Sequence, residues 1–146
     1  MSEKIYDNTL FENTKHIDEN GVEFWYAREL QIVLDYKQWH GFSQVIDKAK
    51  ESCKSSEISV SEHFVGIDKM VQASSGTERK RADYKLTRFP CYMIIQNSDS
   101  RKKPVALAQT YIVYKTMKKE LNDIAYDLFR ITYLKDNNKV KISERL

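Results

Sequence analysis

With 146 residues, 41% of them hydrophobic, the chain is long enough for one domain with a sizeable core and too short for two typical ones. Four glycines and two prolines argue against a turn-rich β sandwich and for substantial helix. The opening MSEKIYDNTL has no apolar stretch of the signal-peptide kind, and no long apolar run follows it, so the composition points to a cytoplasmic protein without a membrane span.

Net charge is +3, but residues 77–121 hold eleven Lys/Arg against Glu78, Asp83, Asp99 and Glu120, which puts +7 there and −4 elsewhere. That imbalance suits either a solvated basic face or contact with an anionic partner. Cys53 and Cys91 have no C-x-x-C or histidine partner spacing and read as reduced core thiols.

Residues 1–13 are polar and acidic and read as a loose lead-in. Thr14–Asp18 and Glu23–Tyr26 flank Glu19-Asn20-Gly21, the Asn-Gly turn of a hairpin. Ala27–Leu34 follows as a short helix with Leu30, Val33 and Leu34 inward, ending at Asp35, a residue that tolerates the left-handed conformation. Gln38–Cys53 is a second helix whose Trp39, Phe42, Val45, Ile46, Ala49 and Cys53 share a face. The two resemble a helix-turn-helix, with His40, Gln44, Asp47, Lys48 and Lys50 on the outer side.

Ser55–Ser61 reads as a connector and Glu62–Gln72 as a strand. It pairs with Ala82–Thr87 in a second hairpin closed by the flexible tip Ala73–Arg81, with Arg79, Lys80 and Arg81 placed to reach phosphates. Thr87 N-caps a helix with Pro90 in its first turn and Phe89, Tyr92, Met93 and Gln96 on one face, and Asn97 ends it in the left-handed conformation. After the basic turn Arg101-Lys102-Lys103, Pro104 opens a last helix with Leu107, Tyr111, Tyr114, Met117 and Leu121 at three-four spacing. Ile124, Ala125, Leu128, Phe129 and Leu134 continue the pattern, so the helix either bends near Asn122-Asp123 or packs its far half on another chain. The reading favoured is a C-terminal arm over 122–146 that pairs two copies, beyond a globular domain over 1–121. The fold class is α+β: two small hairpins with about four helices and the helical arm.

The blocks Phe24-Trp25-Tyr26-Ala27-Arg28-Glu29-Leu30, His63-Phe64 through Lys69-Met70-Val71, Leu86-Thr87-Arg88-Phe89 with Cys91-Tyr92 and Gln96-Asn97, and Ala108-Gln109-Thr110-Tyr111 occur in one order over residues 10–121. Together they resemble the DNA-damage-inducible protein D family, which is related to the Bro-N antirepressor domains of phages and large DNA viruses. The resemblance implies a non-catalytic cytosolic protein of the bacterial SOS response that modulates the RecA recombinase filament on single-stranded DNA. It also implies that the chain is the N-terminal part of a longer protein.

Candidate contact residues for a filament or for single- or double-stranded DNA are Arg79, Lys80, Arg81, Arg101, Lys102 and Lys103. Trp25, Trp39, Phe89 and Tyr92 read as core rather than as base-stacking platforms. A sequence-specific regulator using the helix pair around Asp35 is the alternative. The third reading is a metal-dependent nuclease built on Asp68, Asp83 and Lys85. No cofactor is expected: His16, His40 and His63 lie in separate elements, and no phosphate loop or zinc spacing is present.

Overall fold

The computed structural model describes residues 9–136. The elements are α1 (Thr9–Asn13), β1 (His16–Ile17), β2 (Glu23–Tyr26), α2 (Ala27–Val33), α3 (Trp39–Ser55), α4 (Val60–His63), β3 (Val65–Gln72), β4 (Glu78–Leu86), α5 (Arg88–Gln96) and α6 (Lys103–Asp136). The two expected hairpins are there, β1–β2 and β3–β4. They are not separate, because β2 also pairs with β4, giving one antiparallel four-stranded sheet in the order β1-β2-β4-β3. The α+β class is therefore borne out.

The chain divides into two compact units after Tyr111. In the first, Trp25 is fully buried, stacked on Phe11 at 4.6 Å between ring centroids, and donates its indole N–H to the Phe11 carbonyl at 2.9 Å. The expected lead-in is thus partly wrong: α1 is a short helix whose one aromatic fills the core. Leu30, Leu34, Phe42, Ile46 and Ala49 are buried from α2 and α3 as their spacing predicts.

Both of these helices end in left-handed residues, Asp35 at φ 62° and Glu57 at φ 60°. After each, the next amide reaches back to close the last turn, Tyr36 N to Gln31 O at 3.0 Å and Ile58 N to Cys53 O at 2.8 Å. The tolerance expected of Asp35 is what the turn uses.

Three local expectations are corrected. The strand does not start at Glu62, because Ser59 accepts a hydrogen bond from the Glu62 amide at 3.4 Å and caps the single turn α4. On α5 the buried residues are Pro90, Cys91, Ile94 and Ile95, so Phe89 is not core; it is exposed and lies against the His63 ring. Thr87 does occupy the N-cap of α5 but makes no side-chain cap bond, and Asn97 ends the helix at φ −90°, its side-chain Nδ2 donating to Met93 O at 2.8 Å.

A polar clamp ties the first unit together. Arg88 donates to both Glu12 oxygens at 2.8 Å, to Glu23 at 2.8 and 3.0 Å, and to the Tyr92 hydroxyl at 3.0 Å. Tyr111, in the first turns of α6, donates to the Glu12 carboxylate. Hydrogen bonds donated to Glu12, then to Glu23, raise the Arg88 pKa, while bonding to Arg88 holds the Glu23 carboxyl below its ordinary value. Burial, then Glu12, raises the Tyr111 phenol. Burial likewise pushes up the Cys91 and Cys53 thiols, which suits unreactive core cysteines.

In the second unit, α6 runs through Asn122-Asp123 without interruption in its helical assignment. Among the described residues no helix is long and apolar enough to cross a membrane.

Candidate nucleic-acid interface

The β3–β4 ribbon is set by its register, in which Ile67 faces Asp83, Lys69 faces Arg81 and Val71 faces Arg79. Side chains alternate along a strand, so Lys69, Arg79, Arg81, Asp83 and Lys85 share one face. Lys80 points the other way, beside Met70, Asp68 and Tyr84. The loop is shorter than expected. Glu78–Arg81 belong to β4, and the reversal is confined to Ala73–Thr77, with Gly76 at φ 84° and Ala73 N bonded to Thr77 O at 2.7 Å. The first basic triplet is therefore part of a pleated ribbon rather than of a flexible tip, and its members are split between two faces.

Asp83 organises the basic face from beneath. Its side chain is 3% exposed; one oxygen accepts the Arg28 amide at 3.0 Å and the Tyr84 amide at 2.7 Å, and the other lies 3.5 Å from Lys69 Nζ. The carboxylate thereby supplies the first turn of α2 with the acceptor that Tyr26, at the N-cap, lacks. Arg28 in turn donates through Nε to Ala82 O at 2.8 Å and lays its guanidinium over the Trp39 ring at 4.0 Å. Lys69 Nζ is 3.3 Å from the Tyr26 ring centroid and Lys85 Nζ is 4.2 Å from that of Phe24.

Positive charge is concentrated here. Burial, then the neighbouring Arg81 and Arg79, lower the Arg28 pKa from its ordinary value. Arg79, Lys80 and Arg81 make no side-chain ion pair or hydrogen bond among the described residues and are exposed. Arg28 and Lys69 were not singled out from sequence. Arg28 lies in the Phe24–Leu30 block, but Lys69 joins the arginines only through the strand register.

The second triplet behaves differently. Arg101 is bonded twice to Asp99 at 3.0 Å, an interaction that holds the Asp99 carboxyl at about 2. Lys102 donates to Asp35 O at 3.0 Å, and the Tyr36 hydroxyl accepts the Asp99 amide at 2.8 Å. Lys102 therefore serves the turn around Asp35, Arg101 is paired with Asp99, and Lys103 opens α6 and is exposed. The two triplets sit at opposite ends of α2, the first by Arg28 and the second past Asp35.

The nuclease constellation does not assemble. Asp68 pairs in register with Ala82 and so faces away from Asp83, which is buried and fully engaged in structural bonds. Asp68 lines, with Asp47, Trp39, Ser43, Tyr84 and part of Asp83, a groove of about 270 Å³ between α3 and the ribbon. The carboxylates of Asp47 and Asp68 make this groove unsuited to a phosphate. Among the described residues no three His, Cys, Asp or Glu side chains converge as metal ligands.

Comparisons with known proteins agree with this architecture in extent. Residues 13–113 match the model described as the BRO family, N-terminal domain. Over 113 residues the chain is 39% identical to DNA damage-inducible protein D of Escherichia coli (strain K12), covering 77% of this chain and 41% of that protein. The chain thus spans about two-fifths of the length of this relative. No solved structure matches.

Proposed function

Because the chain belongs to the BRO family through its N-terminal domain, and resembles a relative named for induction by DNA damage, we propose that it is a non-catalytic regulator in the bacterial response to DNA damage. In this reading it acts on the RecA filament on single-stranded DNA and favours its disassembly or inhibition. The observation that carries the reading is the uncompensated Arg79–Arg81 pair on the ribbon face that also presents Arg28 and Lys69. An exposed strand with alternating arginines offers charge-assisted bonds to a phosphate backbone without reading sequence. Arg79 and Arg81 lead the contact set, with Lys80, on the other face, and Lys103 next; Lys102 supports the fold around Asp35 and Arg101 is paired with Asp99.

The test is ATP hydrolysis by RecA on single-stranded DNA as the protein is titrated in, beside a DNA-binding control at several salt concentrations. Falling ATPase, relieved by Arg79→Ala with Arg81→Ala, is the expected result. Unchanged ATPase together with tight, salt-sensitive DNA binding would replace filament control by direct DNA binding. Binding that is flat with salt, or equal in the double variant, would remove the ribbon from the interface.

One observation favours a second reading, a sequence-specific DNA-binding regulator. The α2–α3 pair is closed by the left-handed turn at Asp35 and leaves His40, Gln44, Asp47 and Lys48 exposed on α3. This reading predicts a preferred duplex that survives competitor DNA, and a selection returning no preference would dispose of it.

A further inference from the structure

The second unit displays an apolar seam that the regulator reading does not use. From Tyr114 the positions Met117, Leu121, Ile124, Leu128 and Ile131 recur at alternating steps of three and four, the spacing of a and d in a heptad. Met117 and Ile124 are 55% exposed and Leu121 and Leu128 61%, and Val113 beside them is also exposed. The remaining surface carries Lys115, Lys119, Asp123 and Arg130 and also the exposed Tyr126 and Phe129, so the seam is picked out by its heptad spacing.

We infer that this seam is covered by further copies of the same chain, in a parallel bundle of four α6 helices. Three observations point to that occupant. A strict three-four repeat is self-complementary, since identical helices in register present the same layer at every level. Orientation follows from charge. In an antiparallel pair with Leu121 opposite Ile124, the flanking Glu120 meets Asp127 of the other copy, two like charges. In a parallel arrangement the flanking neighbours are Val113 with Lys118, Glu120 with Ala125, and Asp127 with Thr132, with no like-charged pair.

Stoichiometry follows from residue type and area. Leucine at the a positions 121 and 128 with isoleucine at the d positions 124 and 131 disfavours two strands and favours four. Six side chains, Val113, Met117, Leu121, Ile124, Leu128 and Ile131, at roughly 100 Å² of apolar surface each, bury about 1,200 Å² in a pair. That is the bottom of the range for a stable interface, and it is exceeded when each helix meets two neighbours.

Sedimentation equilibrium on the 146-residue chain tests this. The expected mass is near four times 17.2 kDa, falling to one in a Leu121→Glu, Leu128→Glu variant whose Trp25 near-UV signal is unchanged. Ile131→Cys should form an interchain disulfide on oxidation, because a parallel register brings residue 131 to its own copy; antiparallel pairing would leave the two far apart. A monomer at every concentration would give the seam to a different partner and overturn the proposal. A stable dimer, association that survives the double variant, or no crosslink at residue 131 would each overturn it as well. None of these readouts involves DNA or RecA, so failure here leaves the regulator proposal standing.

Discussion

Leu30 and Leu121 both sit at three-four apolar spacing on a helix, yet Leu30 is fully buried and Leu121 is 61% exposed. In the first unit, each apolar stripe has a partner. Helix α2 is held against the sheet by the Asp83 cap, α5 buries Ile94 and Ile95, and Phe11 closes over Trp25. In the second unit, the same kind of spacing stays exposed. Amphipathicity is a property of a helix by itself, whereas burial needs a second surface, and a long helix can carry the pattern well beyond the domain that folded around its start. The contrast also separates two parts of the chain, with a paired ribbon and clamp in one and an open seam in the other.

The largest test of that difference is a pair of truncations followed by urea unfolding. Trp25→Ala should cost about 3–5 kcal/mol, as for other large buried aromatics. Ile124→Ala, measured at a protein concentration that keeps the chain monomeric, should stay within about 0.5 kcal/mol. Equal losses would erase the distinction between the two units.

Next in size is the clamp. Arg88→Ala leaves the part-buried carboxylates of Glu12 and Glu23 without their main partner, and about 2–3 kcal/mol should be lost, below the figure for fully buried pairs. The same variant sharpens the pH response. The Glu23 pKa is lowered in the folded state, so its contribution is fully present above its ordinary value of 4.5 and is lost as pH falls through the lower folded value. Stability measured by thermal melting should therefore decline on acidification below about pH 5, and less steeply in Arg88→Ala. An equal slope in both proteins would mean that other carboxylates govern acid unfolding.

A smaller effect is expected at the cap of α2. Asp83→Ala should cost about 1–2 kcal/mol through the lost acceptor for the Arg28 amide, with Asp83→Asn retaining part of it. Stability unchanged in both would contradict the structural role of this carboxylate. Smallest is Ser59→Ala, about 0.5–1 kcal/mol for a single capped turn, with protection of the Glu62 amide from exchange as its most direct readout.

The sites were legible in part. Arg79, Lys80 and Arg81 stood out as a charge run, but a run has no sides; only the pleat separated Lys80 from its neighbours and only the register added Lys69. Asp83 looked like a candidate metal ligand because a carboxylate between cations reads alike whether it is exposed or buried. Its 55-residue separation from the Arg28 amide is invisible to any local pattern. The Ser59…Glu62 cap was readable in principle and was outweighed by the β-branched residues that follow it.

By itself the sequence determined what short-range physics controls: helices α2 and α3 with their buried faces, the Asn-Gly hairpin, the turn at Asp35, the α+β class and the heptad spacing of α6. Periodicity, turn preferences and backbone sterics act over a few residues, so the order of side chains is enough to express them. The tertiary structure decided which strands join into one sheet, which face of α5 is core, how Arg88 gathers Glu12 and Glu23, and which cations remain uncompensated. Those outcomes depend on surfaces brought together from distant parts of the chain, where burial and charge pairing are settled between elements rather than within them.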